Sequence, residues 1–322
     1  MAKQLAYFKG GIVPLEEANI NIMCHGFNYG TGCFEGIRAY WNPEQEELFV
    51  LFLEEHYKRM FKSAKILFME VPHSLDELVT ITMDLVKACE YRQDIYIRPT
   101  LYKEDPIVGV RLHNLKDAFH IYVAPMGEYV DTARGLKCGV SSWRRIDDTM
   151  IPARAKVIGG YINSALAKTE AYHRGFDEAI FLNADGHVCE GSAENVFIVR
   201  ENTLVTPGLY DNILEGVTRR AIMELAEREL GLETECRPID RTELMVADEM
   251  MLCGTGAQIA WVSSVDSRLV GDGKEGPITR KIRSLYYDAV RGNLPQYSHW
   301  VKPVYGTRRG AAPAGSAAVS PA

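Results

Sequence analysis

The spacing of apolar and polar positions divides the chain into two blocks of mixed strands and helices. In the opening third, QLAYFKGGIVP and EELFVLFLEEH carry apolar, β-leaning runs, and LEEHYKRMFKSAKIL follows with helical spacing. SLDELVTITMDLVKACEY predicts a helix that Ser74 caps, with Leu78, Ile81, Leu85 and Cys89 three or four apart on one face. DIYIRPTLY and AFHIYVAPMG read as strands by alternation and composition.

After Pro125-Met126-Gly127, the polar, turn-prone EYVDTARGLK marks a link between two lobes. The second lobe opens with the strand KCGVSSWRRI, and IPARAKVIGGYINSALAKTEAYHRG then supplies an amphipathic helix. DEAIFLNADGHVCEGSAENVFIVRENTLVTP reads as consecutive hairpins that reverse at 184–186 and 200–202. A helix is expected from about Thr218 to Leu230, stopped by Gly231, and another over PITRKIRSLYYDAVRG, between Pro277 and Gly292. Asp240 and Glu243 stand in capping-box spacing. These elements predict an α/β (α+β) chain divided into a small N-terminal domain over 1–125, a linker over 126–136, and a large domain over 137–305. The Ala/Gly/Pro/Ser-rich stretch 306–322 has no periodicity and reads as a disordered tail.

Composition narrows the function class. A net charge of −7 with scattered Lys and Arg argues against a nucleic-acid surface. No apolar run approaches membrane-spanning length, and the first twenty residues lack a signal-peptide layout. The 7 cysteines are spread out with no C-x-x-C pair, which suits reduced thiols in a cytoplasm better than disulfides or zinc.

Candidate chemistry gathers around Lys156, set between small apolar residues and a Gly-Gly-Tyr turn. VCEGSAENVFIV places Glu190 and Glu194 inside an apolar hairpin, and MLCGTGAQIA ends a buried-looking strand in Gly254-Thr255-Gly256. LEGVTRRAI sets a glycine and Thr218 ahead of a helix, where free N–H groups and the positive dipole end suit a phosphate. Arg59, on a helix, offers a guanidinium fork for the same anion. A lysine, a buried carboxylate, a tyrosine and an anion cradle are what pyridoxal 5'-phosphate (PLP) requires: an amine for its aldehyde, a carboxylate for its ring nitrogen, and donors for its phosphate. Taken singly, each residue has a plainer reading. Lys156 could be a loop lysine, Glu190 a turn carboxylate, Thr218 an ordinary cap and Arg59 a solvated arginine, while Tyr29, Phe34 and Tyr96 could be core aromatics. GTGCFEG has the wrong spacing for a dinucleotide loop, and EEHYKR lacks the second histidine of a zinc helix, so no metal site is expected.

In series, YGTGCFEGIRAY (29–40), HYKRMFKSAK (56–65), YIRP (96–99), AKVIGGY (155–161), EGSAENVF (190–197), LEGVTR (214–219) and CGTGAQI (253–259) resemble the branched-chain amino acid aminotransferases. These are class IV aminotransferases, two-domain PLP enzymes of fold type IV, and the likeness spans about residues 5 to 303. The resemblance implies that Lys156 binds PLP covalently and shuttles the proton between substrate Cα and cofactor. It implies that Glu190 pairs with the ring nitrogen and Tyr161 with the ring hydroxyl, and that Arg59, the Val217 backbone, Thr218 and Thr255 hold the phosphate. It assigns the substrate pocket to Tyr29, Phe34, Tyr96, Arg98, Tyr129, Gly256 and Ala257. It also implies a homodimer in which the neighbouring subunit lends the loop bearing Val108, Gly109 and Val110. The implied reaction is reversible ping-pong amino transfer between L-leucine, L-isoleucine or L-valine and 2-oxoglutarate. Met126, Gly160, Gly256 and Arg111 depart from the usual family residues around the pocket, making it roomier or more positive. Activity on (R)-primary amines or D-amino acids, and an aminodeoxychorismate lyase reaction, therefore stand as alternatives.

Overall fold

A computed structural model of the chain describes residues 2–127 and 134–306. The expected tail after Gly306, and all but the ends of the expected linker, lie outside those residues. Two sheets organise the rest. The first runs in spatial order Val301–Pro303, Glu47–Leu51, Ile37–Asn42, Ile95–Lys103, Asp117–Pro125, Leu5–Phe8, Gly11–Pro14, with Gly32–Phe34 paired onto Ile95–Lys103. Every pairing in it is antiparallel. Helices Leu53–Ile66 and Leu75–Cys89 cover one face and bury a core that includes Tyr57, Met60, Leu78, Leu85 and Ile97. The second helix starts where its sequence says: Ser74 accepts from the Glu77 amide while the Glu77 carboxylate returns to the Ser74 amide.

The second sheet runs Val188–Gly191, Glu178–Leu182, Leu136–Arg144, Gln258–Val265, Glu249–Gly254, Asn195–Arg200, Thr203–Thr206, Thr234–Cys236. Because Val188–Gly191 also pairs with Asn195–Arg200, the sheet closes on itself around an apolar interior of Val140, Ile180, Val196, Leu252 and Ala260. Helix Tyr161–His173 makes the crossover between the parallel strands Leu136–Arg144 and Glu178–Leu182. The expected hairpins follow, and the Arg-Glu-Asn reversal has Glu201 and Asn202 at φ 48° and 64°.

The lobes share a core. Tyr40, Phe49 and Leu51 of the first sheet pack with Phe197, Met251 and Ile259 of the second, sealed by helices Val217–Leu230 and Pro277–Val290 and by Tyr297 and Trp300. Immediately after Trp300 the strand Val301–Pro303 pairs with Glu47–Leu51, so the end of the described chain belongs to the first sheet.

One helix-start expectation is corrected. Arg241–Met245 is a short 3-10 turn, and the Asp240 side chain makes no capping bond. Arg237 grips the Glu243 carboxylate through both terminal nitrogens at 2.9 and 2.6 Å, which removes it from the capping role. All 7 cysteines are unpaired thiols, and only Cys236 is exposed. Among the described residues no helix is long and apolar enough to cross a membrane, and no cluster of His, Cys, Asp and Glu could hold a metal ion.

Candidate active site

The seam between the lobes holds a cavity of about 500 Å³. Lys156 reaches into it from the segment ahead of the 3-10 turn Ile158–Gly160 and helix Tyr161–His173. Its Nζ donates to the Tyr161 hydroxyl at 2.7 Å and lies 5.1 Å from the centre of the Phe34 ring. The main chain here is stitched to the first lobe: the Phe34 N–H donates to the Lys156 carbonyl at 3.1 Å, and the Gly159 N–H to the Gly30 carbonyl at 3.2 Å. Two glycines make that approach possible. A Cβ on Gly30, whose φ is +66°, would stand 2.7 Å from the Gly159 Cα. The strict demand for glycine at this interlobe contact therefore falls on Gly30; a Cβ on Gly159 would meet the Gly30 carbonyl oxygen at 3.3 Å, and one on Gly160 would only touch Ile151 at 3.7 Å.

Arg59 enters from helix Leu53–Ile66. Glu35 holds it from behind, accepting from Nε at 2.8 Å and from Nη2 at 2.6 Å, while Nη1 donates to the Glu215 carbonyl at 3.0 Å. One N–H on each terminal nitrogen stays available for an anion. Glu35 is fully buried, and His56 Nδ1 lies 2.8 Å from its Oε2. Burial alone would push the Glu35 carboxyl up, but Arg59 and then His56 outweigh it and hold it at about 2. Burial in turn keeps the His56 imidazole below its ordinary value despite Glu35. Across from Arg59, helix Val217–Leu230 begins at Gly216, which brings no side chain to the first-turn amides. A Cβ at Gly216 would fall 2.0 Å from Asn195 Oδ1, so only glycine opens this helix end. Thr218 and Thr255 complete this wall.

Glu190 lines the cavity from strand Val188–Gly191. Arg145 meets its Oε1 at 2.8 Å; Oε2 accepts the Leu214 N–H at 3.0 Å and the Asn195 amide at 3.3 Å. Burial raises the carboxyl above its ordinary value, against the pull of Arg145. A cation placed at its remaining lone pair would favour the ionised form. Arg98, also lining the cavity, donates to the Tyr96 hydroxyl from Nε and Nη2 at 3.1 and 2.7 Å and stacks 4.3 Å from the Phe34 ring centre.

The cavity thus brings together Phe34, Arg59, Tyr96, Arg98, Lys156, Tyr161, Glu190, Val217, Thr218, Thr255 and Gly256. Ala257, expected beside them, does not line the cavity and is buried in the apolar interior of the second sheet. Tyr29 and Val110 are not part of it within one chain. The helix His25–Tyr29 ends at Gly30 in the left-handed region, and the Tyr29 hydroxyl accepts from Gly109 N–H at 3.2 Å, outside the seam. Tyr29 lines a separate cavity of about 300 Å³ with Val108, and Val110 is 91% exposed. Tyr129 lies outside the described residues. Glu35, His56, Arg145 and Asn195 are site residues that sequence reasoning missed. A carboxylate in the apolar run GCFEGI was the one available signal.

The donor set fits a phosphorylated pyridine aldehyde. It offers an amine beside a phenol at one point, a guanidinium facing a helix N-terminus and two threonines at another, and a buried carboxylate at a third.

Comparison with known proteins points the same way. The class IV amino-transferase family model matches residues 32–265. A probable branched-chain-amino-acid aminotransferase of Aquifex aeolicus is 49% identical over 300 residues, 93% of this chain and 96% of that protein. The crystal structure of the branched-chain aminotransferase of Thermoproteus uzoniensis with norvaline superposes with a TM-score of 0.90 at 41% identity, covering 94% of this chain and 100% of that one. That of the branched-chain amino acid aminotransferase of Thermobaculum terrenum in its PLP-form gives 0.90 at 37% identity, covering 94% and 99%.

Proposed function

The chain belongs to the class IV aminotransferases, in their branched-chain amino acid branch, and from that premise we propose how its side chains carry out the reaction. The reaction is reversible, PLP-dependent transfer of an amino group between L-leucine, L-isoleucine or L-valine and 2-oxoglutarate, in two half-reactions through one pocket. The D-amino acid, (R)-amine and lyase alternatives are not favoured by relatives that are branched-chain aminotransferases. The observation that carries the residue assignments is the convergence of Lys156 Nζ, Tyr161 Oη, the Arg59 guanidinium and the Glu190 carboxylate on one cavity.

Bound PLP supplies an aldehyde that accepts the amino group and a ring that takes up the electron pair released at the substrate Cα. Lys156 would hold the cofactor through its Nζ, and the same amine, when not so engaged, would take the substrate Cα proton. Tyr161, 2.7 Å away, keeps that amine aimed into the pocket and bonds the ring hydroxyl. Glu190 pairs with the ring nitrogen, held in orientation by Arg145, Asn195 and the Leu214 amide. Arg59, the Val217 amide, Thr218 and Thr255 bind the phosphate.

One pocket must take an aliphatic side chain and then a γ-carboxylate. Phe34 and Tyr96 offer apolar faces to the first, and Arg98, stacked on Phe34, offers its free guanidinium edge to the second. Gly256 and Ala257 supply backbone to the substrate carboxylate. Tyr29 and the 107–110 loop lie together outside their own chain's cavity, which suits a homodimer in which they line the neighbour's pocket. The absence of a C-x-x-C pair and the unpaired thiols suit a cytoplasmic enzyme.

The test is glutamate formation from L-leucine and 2-oxoglutarate by the holoenzyme and by Lys156→Ala. Turnover by the wild type with loss of at least about a thousandfold in the variant is expected. Comparable rates in the two would refute the assignment of Lys156.

A further inference from the structure

A closed ring of contacts ties the phosphate anchor to the reactive lysine. Arg59 Nε and Nη2 bond Glu35 at 2.8 and 2.6 Å. The residue before Glu35, Phe34, donates its backbone N–H to the Lys156 carbonyl at 3.1 Å. The Lys156 N–H donates to Ser63 Oγ at 3.2 Å. Ser63 lies one turn beyond Arg59 on helix Leu53–Ile66, an axial rise of about 6 Å, and this returns the ring to its start. Both peptide groups flanking the Lys156 Cα are therefore held by the lobe that holds Arg59. Ser63 is 1% exposed, which leaves water little access to take over as acceptor for that N–H.

We propose that Ser63 is a positioning residue for the reaction: its hydroxyl fixes where the Lys156 main chain stands relative to Arg59, and so sets the span between phosphate anchor and reactive amine. PLP has a fixed covalent distance between its phosphate and its aldehyde carbon. A helical turn with Arg59 at one end and a main-chain grip on the lysine at the other fixes the span that this distance has to fill. A misplacement of about 1 Å at a reacting centre costs on the order of a hundredfold in rate, so a hydroxyl that never touches cofactor or substrate can still govern turnover. The proposal rests on the assignment of Lys156 above.

Ser63→Ala removes the acceptor while favouring the helix, so the fold is expected to persist. Three measurements on the holoenzyme separate positioning from simple support of the lobe. The single-turnover rate with L-leucine should fall by about tenfold, the cost of one misplaced or unsatisfied buried N–H. The affinity for pyridoxamine phosphate should stay within about twofold, because Arg59, Glu35 and the helix start at Gly216 are untouched. The pH midpoint of the visible band of bound PLP should move by about half a unit or more, since the lysine nitrogen has changed its setting. Ser63→Thr, which keeps the hydroxyl, should recover most of the rate. A Ser63→Ala enzyme with wild-type rate and midpoint would overturn the proposal. So would a parallel loss of pyridoxamine phosphate affinity and rate, or a Ser63→Thr enzyme as slow as Ser63→Ala at an unchanged melting temperature. Borohydride reduction distinguishes a failure of the underlying assignment. If Lys156→Ala still yields a PLP adduct at another lysine with wild-type turnover, the assignment itself falls, whatever Ser63→Ala does.

Discussion

Replacing Glu35 by glutamine tests the buried charge behind Arg59. The folded chain holds the Glu35 carboxyl at about 2, against an ordinary value of 4.5. At about 1.4 kcal/mol per pH unit, that difference is worth about 3 kcal/mol of folding stability at neutral pH. Breaking a buried ion pair from one side costs a similar 3–5 kcal/mol or so, because the abandoned partner, here Arg59, stays buried. The sign follows from the depression. The stabilisation is complete above the unfolded value near 4.5 and is lost as pH falls toward the folded value near 2. Urea unfolding of wild type and Glu35→Gln should therefore show a gap of about 3 kcal/mol at pH 7 that narrows to about 1 kcal/mol by pH 3. Affinity for pyridoxamine phosphate should fall in the same variant, because the guanidinium loses its bidentate support. A gap under about 1 kcal/mol at pH 7, or one that does not narrow with acid, would refute the reasoning.

Arg98→Ala should slow the 2-oxoglutarate half-reaction 10- to 100-fold or so more than the L-leucine half-reaction, as expected for charge-assisted bonds to one carboxylate; stopped-flow on each half-reaction reads the difference, and equal losses would remove Arg98 from that role. Tyr161→Phe, which deletes the 2.7 Å contact to Lys156 Nζ, should lower kcat/KM by about tenfold or more while leaving the unfolding midpoint nearly unchanged. Glu194, pushed above the ordinary carboxyl range by burial and the neighbouring Glu178, keeps its proton longer in the folded chain than in the unfolded one. Stability should therefore decline as pH rises from about 4.5 through neutrality, and Glu194→Gln should flatten that decline in melting temperatures taken across the range.

What the sequence revealed was local. The cap at Ser74, the stop at Gly231 and the reversal at 200–202 are each decided by a few adjacent residues, and each stands where its pattern put it. The pattern at Asp240 and Glu243 failed because Arg237, outside the motif, takes the glutamate. Closure of the second sheet through Val188–Gly191 and the return of Val301–Pro303 to the first depend on tertiary pairing that no periodicity encodes. The same holds at the site. Lys156, Arg59 and Thr218 could be singled out because amine, guanidinium and helix start each announce a chemistry. Glu35 and Arg145 act only by meeting Arg59 and Glu190, which lie 24 and 45 residues along the chain, and Ser63 acts only by meeting a backbone amide 93 residues away. The small size of Gly30 likewise makes sense only once Gly159 is placed against it.

The central claim is that Lys156 holds PLP in a pocket built for branched-chain donors, and the visible spectrum of the holoenzyme before and after L-leucine, with no acceptor present, tests it most directly. The expected result is a yellow protein whose band is replaced by that of the pyridoxamine form, and is restored by 2-oxoglutarate. A yellow protein that L-leucine leaves unchanged would contradict the donor, and a colourless protein that takes up no added PLP would contradict the whole account.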